Sequence, residues 1–95
     1  MQLTDFEMMP TDFPNGVQAV LQFGEDYELS IVSNEFSYGG PKGLYEIMVM
    51  HKGEQKELPG VTEAGDAVKG YLSEAEVNGI IKKMYLITGK QPTQI

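Results

Sequence analysis

The chain has 95 residues, a formal net charge of −7, no cysteine and no arginine. That length supports one domain with a core of its own. The missing cysteine excludes disulfides, thiolate metal ligands and a cysteine nucleophile, and the missing arginine removes the side chain that grips phosphates and carboxylates in bidentate fashion. The charge is also one-sided. Asp5, Glu7, Asp12, Glu25, Asp26, Glu28 and Glu35 precede the first lysine, Lys42, while the remainder balances seven acids against seven lysines. Electrostatics of that sign repels nucleic-acid phosphates and anionic lipid and admits a basic protein surface. The opening residues lack the basic and apolar regions of a signal peptide, and no apolar run reaches the ~20 residues of a membrane span. The expectation is a cytoplasmic chain with no nucleic-acid and no membrane partner.

Residues 1–16 read as an extended arm. Pro10, Pro14 and Asn15-Gly16 interrupt regular structure, yet Phe6, Met8, Met9 and Phe13 are apolar. Such an arm packs along its own domain or reaches a partner. From Val17 to Phe23, Val17, Ala19, Leu21 and Phe23 alternate with polar residues, the period of a half-buried strand. Gly24-Glu25-Asp26 reads as a turn. Tyr27 to Ser33 alternates again, which predicts an antiparallel hairpin.

Asn34 to Gly43 reads as a loop with three glycines and one proline. Leu44 to His51 follows with Tyr45, Ile47 and Val49 on one face and Leu44, Met48 and Met50 on the other; two apolar faces predict a central strand covered on both sides. Lys52-Gly53 fits a hairpin turn. A short strand is expected over Lys56-Glu57-Leu58, ending at Pro59-Gly60. The stretch from Val61 to Leu72 reads as irregular, with one helical turn near Asp66-Ala67-Val68.

Ser73-Glu74-Ala75-Glu76 matches a capping box, with Leu72 and Val77 placed as a hydrophobic staple. Val77, Ile80, Ile81, Met84 and Thr88 recur at helical spacing. Gly89 reads as the stop, Pro92 prevents continuation, and residues 90–95 read as a frayed tail. The predicted fold is α+β: an antiparallel sheet of three to four strands with one C-terminal helix on one face (β-β-β-β-α), spanning residues 17–89 as a single domain.

Residues suited to chemistry are scattered. His51 is the only histidine, and Glu46 falls on the opposite face of its strand, so no acid–base dyad is visible. Ser30, Ser33, Ser37 and Ser73 lack a nucleophile-elbow context. Glu25-Asp26-Glu28 lacks the spacing of a calcium loop. Tyr38-Gly39-Gly40-Pro41-Lys42-Gly43 lacks the Lys-Ser/Thr ending and the following helix of a phosphate loop. No catalytic residue, metal site or cofactor is therefore expected. Met48 and Met50 read as core filler; Met8 and Met9 are the more suggestive pair for an adaptable contact, although packing on their own domain is the favoured reading. The candidate contact residues are Phe36 and Tyr38 with Gly39 and Gly40 in the loop, and Phe6, Met8, Met9 and Phe13 in the arm. Aromatic side chains of this kind are enriched at interface hot spots.

Three segments carry a resemblance: Asn15-Gly16-Val17, then Ser37-Tyr38-Gly39-Gly40 with Gly43-Leu44-Tyr45-Glu46-Ile47, then Asp66 to Val77. Together they resemble a family of small proteins encoded in tailed phages and prophages. Its pattern is N-G-V, S-Y-G-G-x-x-G-L-Y-E and D-V-x-G-Y-L-x-x-x-E-V before a closing helix. The resemblance covers about residues 15–88. The arm 1–14 is an addition to it, and Ala67 stands where an acid often occurs. The family has no assigned activity, so no functional residues carry over; the resemblance implies a viral protein in a bacterial cytoplasm. The resulting expectation is a non-enzymatic module that binds a host protein. The alternatives are a self-assembling structural or virion-associated protein, with the arm exchanged between copies of a homo-oligomer, and a DNA mimic whose acids imitate phosphates. An enzyme would need carboxylate-only chemistry or a site completed by a second chain.

Overall fold

The three alternating runs become the long strands of one antiparallel sheet. A computed structural model of the chain describes residues 1–13 and 15–95; the break assigned to Pro14 lies outside them. Strand β1 is Met9–Pro10, β2 Val17–Phe23, β3 Tyr27–Ser33, β4 Tyr45–His51, β5 Glu54–Gln55, β6 Val68–Leu72 and β7 Pro92–Gln94, with helix α1 at Glu74–Thr88 between β6 and β7. β2 and β3 pair through Leu21↔Leu29, and β3 and β4 through Leu29↔Val49. Ala19, Leu21, Phe23, Leu29, Ile31, Ile47 and Val49 are buried on one face, because every second residue of a strand points the same way.

Helix α1 covers that face. Its capping box forms: the Glu76 amide donates to Ser73 Oγ at 3.2 Å, and the Ser73 amide donates to Glu76 Oε1 at 3.1 Å. Gly89 ends the helix in the left-handed region, and its amide donates to the Tyr85 carbonyl at 2.8 Å. Val77, Ile80, Ile81 and Met84 are buried against the sheet, each stabilising the fold by roughly 1.5–3 kcal/mol. That sum outweighs the helix-propensity cost of the β-branched residues and Gly79.

The sheet is wider than three to four strands; the described residues form seven. The outer side of β2 is shared by β1 (Met9↔Gln18) and β7 (Phe23↔Pro92, Leu21↔Gln94). The outer side of β4 is shared by β5 (Met50↔Gln55) and β6 (Met48↔Val68). Short strands thus occupy both flanks of the long ones and leave only short edges exposed, a device that limits edge-to-edge aggregation. Three local expectations change accordingly. The short fourth strand lies at Glu54–Gln55 instead of 56–58, because Lys52-Gly53 turns with both residues at positive φ (52° and 82°) and pairing begins at once. The stretch 68–72 is a strand, not the end of an irregular segment with a helical turn. The tail does not fray: residues 92–94 form β7, Pro92 is buried, and the Ile95 amide donates to the Val20 carbonyl at 3.0 Å. Proline suits the first residue of such an edge strand, where no donor is required.

β4 is central, but only its Ile47 and Val49 face lies in the helix-covered core. Met48 and Met50 are half-buried on the other face, Met48 between its cross-strand partners Ser30 and Val68 and Met50 opposite Glu28. The arm lies along its own domain. Leu3 is buried in a 3-10 turn, its amide donating to Asn78 Oδ1 of α1 at 2.7 Å, and Phe6 and Met8 pack against the core. Arm and tail clasp each other: the Glu7 amide donates to Gln94 Oε1, and Gln94 Nε2 donates to the Glu7 carbonyl.

Candidate functional site

The loop after β3 is cross-braced by its own side chains. Asn34 Oδ1 accepts from the amides of Phe36 (2.7 Å) and Ser37 (2.8 Å). Ser37 Oγ accepts from the Asn34 amide at 2.9 Å and donates to the Asn34 carbonyl at 3.1 Å. An Asx turn closed by a buried serine results; Ser37 is a pin in the backbone. A Cβ on Gly40 would collide with the Asn34 carbonyl and the Ser37 hydroxyl, so glycine is required there. Gly39 is buried and Gly40 half-buried, and neither offers a side chain to a partner.

This loop is tied to β6. The Tyr38 amide donates to Glu46 Oε1 at 2.8 Å, and the Tyr38 carbonyl accepts from the Tyr71 amide at 3.0 Å. Opposite Glu46, the β4–β6 register shifts: Tyr45 pairs with Leu72 and Ile47 with Lys69, so Gly70 and Tyr71 together oppose a single residue. This is a β-bulge. A Cβ on Gly70 would meet the Tyr38 carbonyl oxygen at 3.0 Å and crowd its side chain, so glycine allows the two segments to touch. Tyr71 takes the left-handed conformation (φ 57°), which costs a bulky residue on the order of 1–2 kcal/mol.

The result is an aromatic end of the molecule. Phe36 is 74% exposed, Tyr38 62%, Tyr71 60% and Phe13 52%. Phe13 from the arm meets Phe36 edge-on, with ring centroids 5.7 Å apart. Tyr38 and Tyr71 line one open cleft with Glu63, Asp66 and Lys69, and Lys69 Nζ lies 3.6 Å from Glu63 Oε1. The fold thus brings together Phe13, Phe36 and Tyr38 of the candidate contact residues. It sets Phe6 and Met8 inward and leaves Met9 on β1, beside Gln18. Tyr71 escaped the reading of residues 61–72 as irregular; the signal available was an aromatic directly after a glycine inside an otherwise strand-like V-K-G-Y-L.

Elsewhere the chemistry is sparse. His51 stacks on its cross-strand neighbour Tyr27, ring centroids 4.4 Å apart. Among the described residues, no group of three or more His, Asp or Glu side chains converges as a metal site. The Glu76 carboxyl is held below its ordinary value of 4.5 by hydrogen bonds from the Ser73 backbone and hydroxyl, with a smaller contribution from Lys69; it caps the helix. No described helix is long and apolar enough to cross a membrane. Compared with protein-family models, curated proteins and solved structures, the chain matches none.

Proposed function

We propose that this chain is a non-enzymatic protein-interaction module whose contact surface is the aromatic end formed by Phe13, Phe36, Tyr38 and Tyr71. The observation that carries the reading is the pairing of exposed rings with a hydrogen-bonded backbone. Large rings stand in solvent on a backbone cross-braced by Asn34, Ser37 and Glu46. A preorganised aromatic surface loses little side-chain freedom on binding and keeps its burial energy for the partner. The segments that carry the resemblance to phage proteins include Ser37, Tyr38, Glu46 and the Gly70-Tyr71 bulge of this end; on that resemblance, the proposed partner is a host protein in the bacterial cytoplasm.

The alternatives fit the geometry less well. Glu25 and Asp26 sit in the β2–β3 turn and Glu35 follows the far end of β3, so these acids are roughly 20 Å apart instead of forming a phosphate-like row. Arm exchange between copies would first have to unpack buried Leu3 and break its bond to Asn78.

Site-specific photo-cross-linking tests the reading. A benzophenone amino acid at Phe36 in the full chain, expressed in bacteria, should give a discrete adduct, while the same probe at Ile87 on the outer side of α1 should not. Adducts from position 87 alone would overturn it.

A further inference from the structure

We infer that the cleft between Tyr38 and Tyr71 receives an arginine side chain carried by the partner protein, an assignment that rests on the aromatic end being a protein-contact surface. Three observations converge on this cleft. First, Tyr71 holds a left-handed conformation that glycine would hold without strain, and at 60% exposure the residue contributes little burial at home. A strained, exposed tyrosine is explained by what its ring meets outside the fold. Second, the two tyrosines are positioned against each other by the Tyr71 amide donating to the Tyr38 carbonyl, and Glu46 holds the Tyr38 amide from the opposite side. Both tyrosines line one opening. Third, the charges select the ligand. Glu63 and Asp66 line the cleft, and the cation beside them, Lys69, is engaged by Glu63. Aromatic faces carry negative potential and attract guanidinium, which also stacks flat on a ring. The carboxylates repel an anion and reinforce a cation. The chain itself has no arginine to fill the cleft.

The probe is the capped peptide acetyl-Gly-Arg-Gly-Arg-Gly-amide, titrated into the 15N-labelled full chain and followed by amide chemical shifts. The same peptide with glutamine for arginine, and a neutral proline-rich peptide, are the comparisons. Shifts should concentrate at Tyr38, Gly70 and Tyr71, and the glutamine and proline-rich peptides should fail to reproduce them. Tyr71→Gly should weaken binding roughly tenfold, with Tyr71→Phe close to the parent, as expected for a cation held on a ring face. Glu25→Gln with Asp26→Asn lowers the overall negative charge away from the cleft and should leave the cleft shifts within about twofold. Shifts as large at the Glu25-Asp26 turn as in the cleft, equal binding of the glutamine or proline-rich peptide, or undiminished binding by Tyr71→Gly would each overturn the proposal. A cross-link from position 36 in cells without any response to the arginine peptide also overturns it, and leaves the contact surface itself standing.

Discussion

The Tyr71 amide donates to the Tyr38 carbonyl oxygen at 3.0 Å, joining the glycine-rich loop to the bulge in β6. Glu46, the residue opposite that bulge, accepts from the Tyr38 amide. One strand, one loop and one bulge are thereby locked into a single unit whose two rings face solvent. Tyr38 and Tyr71 take part in these bonds through backbone atoms alone, so the rings can be altered without dismantling the scaffold.

Tyr71→Gly is expected to leave stability unchanged or raise it by up to about 1 kcal/mol, because relief of the left-handed conformation offsets glycine's greater freedom in the unfolded chain. Thermal unfolding by circular dichroism reads this directly. A fall of Tm by more than about 5 °C would show that the ring is structural.

Glu46→Ala should release the loop. The Tyr38 amide loses its acceptor, costing about 1 kcal/mol at this exposed position, and its hydrogen exchange should accelerate while that of β3 amides does not. Glu46→Gln keeps an acceptor oxygen and should fall between the parent and the alanine variant.

The helix cap carries a pH dependence of known sign. The Glu76 carboxyl has its pKa lowered in the folded chain, chiefly by the Ser73 hydrogen bonds. A depressed carboxyl contributes stability that is present above its unfolded value of 4.5 and is lost as pH falls through the folded value. Glu76→Gln should therefore show a shallower decline of Tm than the parent between about pH 6 and about pH 3. Ser73→Ala should cost about 1 kcal/mol at neutral pH.

Leu3→Ala should destabilise the chain by about 2–3 kcal/mol, since Leu3 is 3% exposed within the core. Chemical denaturation gives the value. Loss of partner binding after deleting the arm would thus report folding as well as contact, so point changes at Phe13 are the cleaner probe of the arm.

Removal of residues 91–95 should lower Tm and promote association. The deletion takes away β7 and the buried Pro92 and bares the outer side of β2 from Val20 to Phe23, and an unpaired strand edge recruits other chains. Light scattering during heating should show earlier aggregation than in the parent.

The local signals in the sequence determined the local structure. Alternation in Val17–Phe23, Tyr27–Ser33 and Tyr45–His51 specifies strands because a pleated backbone sorts successive side chains to opposite faces. The Ser73–Glu76 box, the spacing of Val77, Ile80, Ile81 and Met84, and the stop at Gly89 specify the helix within one span. The α+β class follows from these. What only the tertiary structure decided is everything that depends on a partner distant in the chain. Val68–Leu72, strand-like but interrupted by Gly70, and the three-residue Pro92–Gln94 announce a strand only weakly; they become strands because β4 and β2 present unpaired backbone groups that a neighbouring segment must satisfy. For the same reason the strained Tyr71 and its pairing with Tyr38 arise only when the loop and the bulge are brought into register: Gly39 and Gly70 permit the close approach, but nothing in the linear sequence says which segments they allow to meet.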